Sequence, residues 1–426
     1  MVAFFTKGFK KIGYVSLLVL SLLWFLQSCT DKRVGSRNLS SLYDVDKPYY
    51  KLQFSLFHLN EDTTELHFRV PLNEFLYKRD DPVSKFKARF SLTYSFFEDY
   101  KTKEILDSAV FHFEDSVHYK QNYWGDYVMG LPLGKYEKGV LRIEVVDKQR
   151  KSGATYTFLY NREEKGNEQY FFAEHQDYGR YPGNIFKKSE NVRLHLSSLI
   201  NTDSLTVAYF KHFVELAPPP HQHENIKIIP WTPDSLFKIP CNDNVSEYLS
   251  FKKEGVYHFM PDSSKREGFT FFIAHDDFPF ITSHHQMAGA LRYITSHKEF
   301  RKIESNPDQQ NAIDAFWLGI SSNAEVARKL IKEYYSRVQF ANVFFTSHKE
   351  GWMTDRGMIY IVMGKPNVVY RNTFSEVWIY GEDKNFYSVT FEFRKVLNPL
   401  SDNDFVLMRN PTFKDKWYRA VDMWRK

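Results

Sequence analysis

Hydrophobic positions along this chain change their period as the sequence advances, and the changes divide it. From Tyr49 to Arg162, apolar residues recur at every second position: Leu66, Phe68 and Val70; then Phe86, Ala88, Phe90, Leu92, Tyr94 and Phe96; then Leu141, Ile143 and Val145. A period of two places one row of side chains on the buried face of a strand and the intervening Lys, Arg, Ser and Thr on the other. Turn-forming clusters at Asn60-Glu61-Asp62, Asp80-Asp81-Pro82 and Lys148 to Gly153 separate the runs. Short strands spaced in this way predict a β-sandwich. The alternation returns in Val192, Leu194 and Leu196, in Leu205, Val207 and Tyr209, and in Phe269, Phe271 and Ile273. It predicts a second β-rich, sandwich-like region, broken by a loop at Pro218-Pro219-Pro220, since proline cannot donate to a strand ladder. Gly134-x-Tyr136 and Gly255-x-Tyr257 are alike, in keeping with two sandwiches.

Near His284 the spacing becomes helical, first in Met287, Leu291, Tyr293 and Ile294. Asn306-Pro307 predicts a cap and first-turn proline for a helix facing inward through Ile313, Phe316, Trp317 and Ile320. Ser322-x-x-Glu325 predicts a capping box for the next helix, with its stripe at Val326, Leu330, Ile331, Tyr334, Val338 and Ala341. Glu325 with Lys329, and Glu333 with Arg337, are spaced to pair on its polar side. Strands are expected over 376–380, 386–394 and 405–409. Met358 to Met363 fits a strand by composition and a helix by the Thr354 or Asp355 cap ahead of it; the helix is preferred. The fold class is therefore multidomain, mainly β plus α+β. The Leu131-Pro132-Leu133-Gly134-Lys135-Tyr136 turn before a strand resembles the late part of an immunoglobulin-like domain. By that resemblance, immunoglobulin-like β-sandwich regions over 48–165 and 166–282 precede an α+β domain over 283–426.

The least generic stretch runs from Gly351 to Pro366. Gly351-Trp352-x-Thr354-Asp355 is followed by Arg356-Gly357, then by Gly364-x-Pro366 and Glu376-x-Trp378-x-Tyr380, and preceded by Tyr334, Arg337, Ala341 and Asn342. On these residues the C-terminal part resembles the GWxTD domain family of bacterial lipoproteins of the Bacteroidetes type. The resemblance brings no biochemical activity with it, but marks Gly351, Trp352, Thr354, Asp355, Arg356, Gly357, Gly364, Pro366, Trp378 and Tyr380 as the motif and candidate binding residues. The order of bend, Trp-x-Tyr and strand pair is also similar, over about forty residues, to a small lipoprotein of the outer-membrane barrel-assembly machinery.

At the start of the chain, Lys7, Lys10 and Lys11 precede an apolar run from Val15 to Leu26, too short for a comfortable membrane span. Gln27-Ser28-Cys29 follows it, so residues 1–28 read as an export signal and Leu26 to Cys29 resembles a lipobox. By that resemblance Cys29 is the acylated mature N-terminus and the chain's link to a membrane. Thr30, rather than Asp, follows the cysteine and favours the outer membrane. Asp31 followed by Lys32 and Arg33 favours the periplasmic face. Residues 29–47 are polar, lack a sustained period and read as a tether.

Composition then narrows the chemistry. Aromatic residues make up 17% of the chain, with 39 Phe and 27 Tyr, enough for a large core. The formal charge of +5 is modest and no basic block is interleaved with aromatics, so nucleic acid is not an expected partner. With Cys29 acylated, Cys241 is alone and no cysteine cluster is available for metal. His221-x-His223 with Glu224, and His284-His285, are the histidine groupings nearest to metal ligands, but neither gives three ligands on rigid elements. His275-Asp276-Asp277 reads as a turn. No metal or other cofactor is expected. No Gly-x-Ser-x-Gly elbow, Walker loop, dinucleotide fingerprint or His-Glu-x-x-His occurs. Asp355, Arg356 and Thr354 read first as a helix cap with a fold-fixing ion pair, and Trp352 as filling between helix and sheet. A substrate clamp at these residues is the alternative, as in an envelope hydrolase. A glycan-binding surface at Tyr123 and Trp124 is a further alternative. The leading expectation is a non-enzymatic envelope lipoprotein that binds an outer-membrane assembly, secretion or transport complex.

Overall fold

The computed structural model describes residues 38–45, 52–116, 123–223, 231–385 and 387–425. The predicted signal peptide, Cys29 and Glu224 lie outside them. Among the described residues no helix is long and apolar enough to cross a membrane.

The first region is a two-layer sandwich. Strands Gln53–His58, Thr64–Pro71 and Trp124–Leu131 form one antiparallel sheet, and strands Tyr77–Lys78, Lys87–Phe97, Asp107–Asp115, Lys138–Asp147 and Ser152–Asn161 form the other. Of the predicted inward row, Ala88, Phe90, Leu92, Tyr94 and Phe96 are buried and meet Leu66, Phe68 and Val70 from the facing sheet, whereas Phe86 precedes the strand and is half-buried under Arg79. Burial of two such rows supplies the cohesion of this layer pair.

The second region is a single ten-stranded sheet folded over on itself. Strand Ser235–Asn242 joins its halves, pairing with Ser204–Phe210 on one side and, at Cys241 and Asn242, with Val245–Ser246 on the other. Phe171 from one half meets Phe269 from the other at 6.0 Å, which places both halves around one core. The two Gly-x-Tyr sequences occupy different places. Tyr136 lies in the turn before a strand, whereas Tyr257 lies inside strand Gly255–Met260.

The C-terminal region is α+β: helices α1 (His284–Ala290), α2 (His297–Glu304), α3 (Gln309–Ile320), α4 (Ala324–Phe345), α5 (Asp355–Met363) and α6 (Lys414–Met423) pack with a four-stranded antiparallel sheet. The sheet order is Val368–Arg371, Ser375–Tyr380, Val389–Lys395, Phe405–Leu407. Helix starts differ from expectation by one or two residues. Asp308 rather than Asn306 caps α3, and Asn323 rather than Ser322 caps α4, each by accepting an amide three residues on. In both cases the carboxylate or amide side chain nearer the first turn outcompetes the earlier one. Helix α2 and strand Val368–Arg371 were not anticipated; α2 opens with a Ser296–Glu299 capping box.

The expected tether shortens sharply. Leu39 and Tyr43 are buried, residues Ser40–Tyr43 form a 3-10 turn, and Asn38 to Asp44 lie on the C-terminal sheet. The Leu39 amide donates to the Val369 carbonyl at 2.7 Å, and the Val369 amide donates to Asn38 Oδ1 at 3.0 Å. This segment covers the edge strand Val368–Arg371, which would otherwise offer unpaired backbone to solvent.

Candidate functional site

The Gly351 to Gly364 stretch makes one tight bend feeding one buried helix. Gly351 sits where an added Cβ would lie 2.0 Å from the Ala341 carbonyl oxygen, and an added Cβ on Gly357 would lie 1.9 Å from the Gly351 carbonyl oxygen. Both glycines are therefore fixed by close backbone approach rather than by flexibility. Thr354 caps α5: its hydroxyl accepts the Gly357 amide at 3.0 Å and donates to the Gly351 carbonyl at 2.7 Å. Every residue of α5 from Asp355 to Val362 is buried, and Gly364, at φ +82°, ends the helix ahead of buried Pro366. The Gly364 carbonyl accepts the Tyr380 hydroxyl at 2.7 Å.

Trp352 fills the gap between α4, α1 and the bend and is 2% exposed. Its indole N–H donates to Glu350 Oε2 at 2.8 Å, its amide donates to Asn342 Oδ1 at 3.1 Å, and its carbonyl accepts the Tyr293 hydroxyl at 3.0 Å. Burial pushes the Glu350 carboxyl up, against the pull of the Trp352 indole and the Gln286 amide that donate to it.

The expected ion pair between neighbours Asp355 and Arg356 does not form. On a helix, adjacent side chains leave at about 100° to one another, so each reaches a different partner. Asp355 takes both guanidinium N–H groups of Arg409 and the Leu407 amide, the last at 2.7 Å. Burial pushes its carboxyl above the ordinary value, with Arg409 opposing. Arg356, 1% exposed, lies between the rings of Phe345 and Phe405, with its guanidinium carbon 5.1 and 4.2 Å from their centroids. It donates to the Asn403 carbonyl at 2.9 Å and reaches Glu376 Oε2 at 3.5 Å.

Glu376 is the centre of the cluster. It is fully buried and accepts from the Tyr43 hydroxyl at 2.6 Å, the Trp378 indole at 2.5 Å, and Arg371 Nε and Nη2 at 2.9 and 2.7 Å. Burial alone would raise its carboxyl, but Arg371 and Arg356 together hold it below the usual range. Trp378 in turn packs on Tyr43, Phe345 and Phe393.

Trp352, Asp355, Arg356, Trp378 and their neighbours are thus brought together inside a closed core, and their polar atoms are turned toward each other. Glu350, Arg371 and Arg409 were missed by the sequence reading, as was Tyr43, which it placed in the tether. The available signal was Glu376-x-Trp378: a carboxylate two residues from a Trp on one strand face shares that buried face and needs cationic partners.

The remaining candidates are dispersed. Among the described residues no three of His, Cys, Asp and Glu gather as a metal site. His221 stacks near Tyr418, while His284 and His285 are exposed at the start of α1. His275 to Asp277 form a turn. Tyr123 is 46% exposed, and Trp124 is half-buried under the Arg69 guanidinium. Cys241 is buried with a free thiol. A cavity of about 240 Å³ lies away from the motif, in the second region, where strand Ser235–Asn242 parts from residues 249–253.

Residues 255–426 match the GWxTD domain family. The match begins upstream of the boundary expected at 283 and takes in strands Gly255–Met260 and Phe269–Ala274 of the ten-stranded sheet. No curated protein matches the chain. Among solved structures, a red sea bream transglutaminase is similar at 9% identity and a TM-score of 0.18, over 53% of this chain and 32% of that one. The chain thus spans about a third of that protein's length.

Proposed function

From the premise that residues 255–426 carry a GWxTD domain, we propose that the protein is a membrane-anchored lipoprotein of the cell envelope with no catalytic role of its own. It acts as a periplasmic scaffold or accessory subunit, held to the outer membrane through Cys29, and binds an outer-membrane assembly, secretion or transport complex. One observation supports this reading above the hydrolase alternative. The motif residues that a hydrolase would present in a cleft are buried, and their polar groups are taken up by other residues of the core. Asp355 is occupied by Arg409 and Leu407, and Arg356 by Asn403 and Glu376. A carboxylate and guanidinium spent in this way fix a fold and have no free edge for a substrate.

The test is copurification in mild detergent of the C-terminally tagged protein from native membranes, followed by mass spectrometry. A reproducible envelope-protein partner is expected in stoichiometric yield. Repeated recovery of the protein alone, together with hydrolysis of an envelope substrate by the purified chain, would overturn the reading.

A further inference from the structure

The segment closest to the anchoring cysteine is docked on the domain farthest from it in sequence. Asn38 Nδ2 donates to the Asn367 carbonyl at 3.1 Å, Leu39 bonds Val369, the Tyr43 hydroxyl donates to Glu376, and Asp44 pairs with Lys365 at 2.7 Å. The Tyr43 ring is enclosed by Phe344, Phe345 and Trp378 at 5.1 to 5.5 Å. The other side of the Ser40–Tyr43 turn meets strand Ser152–Asn161 of the first sandwich. This is a strap held in a seam, with its hydrogen bonds and its ion pair directed to the C-terminal domain.

We infer that the GWxTD domain is the membrane-proximal body of the protein, with its edge strand Val368–Arg371 turned toward the lipid leaflet. The inference rests on the reading of Cys29 as the acylated residue. Only Thr30 to Arg37 separate that cysteine from docked Asn38, and a fully extended chain of that length spans at most roughly 30 Å. Lys32, Arg33 and Arg37 in this link outnumber its one acid, Asp31, which suits anionic headgroups. A freely jointed tether running to the first strand at Gln53 would instead let the sandwich lead and the C-terminal domain stand away.

The two arrangements respond differently to where the link is lengthened. The acylated protein is purified in detergent and reconstituted in vesicles with an acceptor dye on the lipid headgroups. A donor is attached at Phe374→Cys, a 76% exposed position in the hairpin after the edge strand; buried Cys241 leaves it the accessible thiol. A flexible Gly-Ser insertion of about 24 residues adds roughly 27 Å of root-mean-square reach. Placed between Arg37 and Asn38, it is expected to lower energy transfer at least about twofold. Placed after Lys47, it is expected to leave transfer at the parent value, because the strap still holds the domain. Equal losses from both insertions, with acyl mass present on Cys29, would overturn the inference alone. Absence of acyl mass on Cys29 in the mature protein would overturn the anchor reading and the inference with it.

Discussion

The first sandwich and the C-terminal domain bury their apolar cores by different means. In the sandwich, a residue such as Leu92 is one tooth in an alternating row, fully buried among other apolar side chains. In the C-terminal domain, the aromatic core is built around ions: Glu376 between Arg371 and Arg356, and Asp355 against Arg409. The difference teaches where each fold tolerates change. An apolar row asks for volume and hydrophobicity, which several residues supply. A buried carboxylate asks for one charge in one place, because its loss leaves the buried Arg356 guanidinium without its counter-charge.

The largest effect is expected from Glu376→Gln. It keeps the volume and removes the charge, and is expected to cost the C-terminal domain about 3–5 kcal/mol. Five of the eight tryptophans, Trp317, Trp352, Trp378, Trp417 and Trp424, lie in that domain, so fluorescence-detected urea unfolding reads it. A change smaller than that of a volume-conserving swap in the sandwich would erase the distinction. Acid provides the next largest effect and acts on both regions. Burial lowers His58 in the sandwich and His348 beside Asp404 to about 4 each. The unfolded chain takes up a proton near 6.5 while the folded chain does not, so stability is complete above pH 6.5 and falls as pH drops toward 4. Each histidine is expected to contribute a loss of about 3 kcal/mol over that window, measured by unfolding at stepped pH. His58→Gln should flatten the slope for the sandwich alone. Glu376 is held low by Arg371 and Arg356, so its contribution is lost as pH falls below the ordinary carboxylate range.

Smaller effects sharpen the contrast. Gly357→Ala forces a methyl onto the Gly351 carbonyl and is expected to cost about 1–3 kcal/mol, seen as a lower melting temperature. Leu92→Met in the sandwich should cost less than about 1.5 kcal/mol by the same measurement. Glu325→Gln removes an exposed pair with Lys329 and should stay within about 0.5 kcal/mol.

The same contrast decides what was legible in the sequence. The rows at Phe90 to Phe96 and Leu141 to Val145 announce their strands because period two survives any choice of apolar residue. Helix α5 was legible through Thr354 and the glycines around it. The partners of Asp355 and Arg356 were not, since Arg409 and Asn403 lie about fifty residues away and approach only through folding, and Arg371 faces Glu376 across a hairpin whose first strand was not anticipated. Neighbouring Asp355 and Arg356 suggested a pair that helix geometry forbids. The strap was hidden for a related reason. Seven residues from Asn38 to Asp44 show no period, and Tyr43 becomes a core residue only when Glu376 and Trp378 have been placed beneath it.

The motif is packed structure rather than a cleft. Region-resolved hydrogen exchange on Asp355→Asn, read by mass spectrometry beside the parent chain, tests it most directly. Faster exchange is expected across α4, α5 and strand Ser375–Tyr380, equivalent to a loss of about 3 kcal/mol or more, with the first sandwich unchanged. Unaltered protection throughout the C-terminal domain would contradict it, and would mark Asp355 as a residue kept for a ligand.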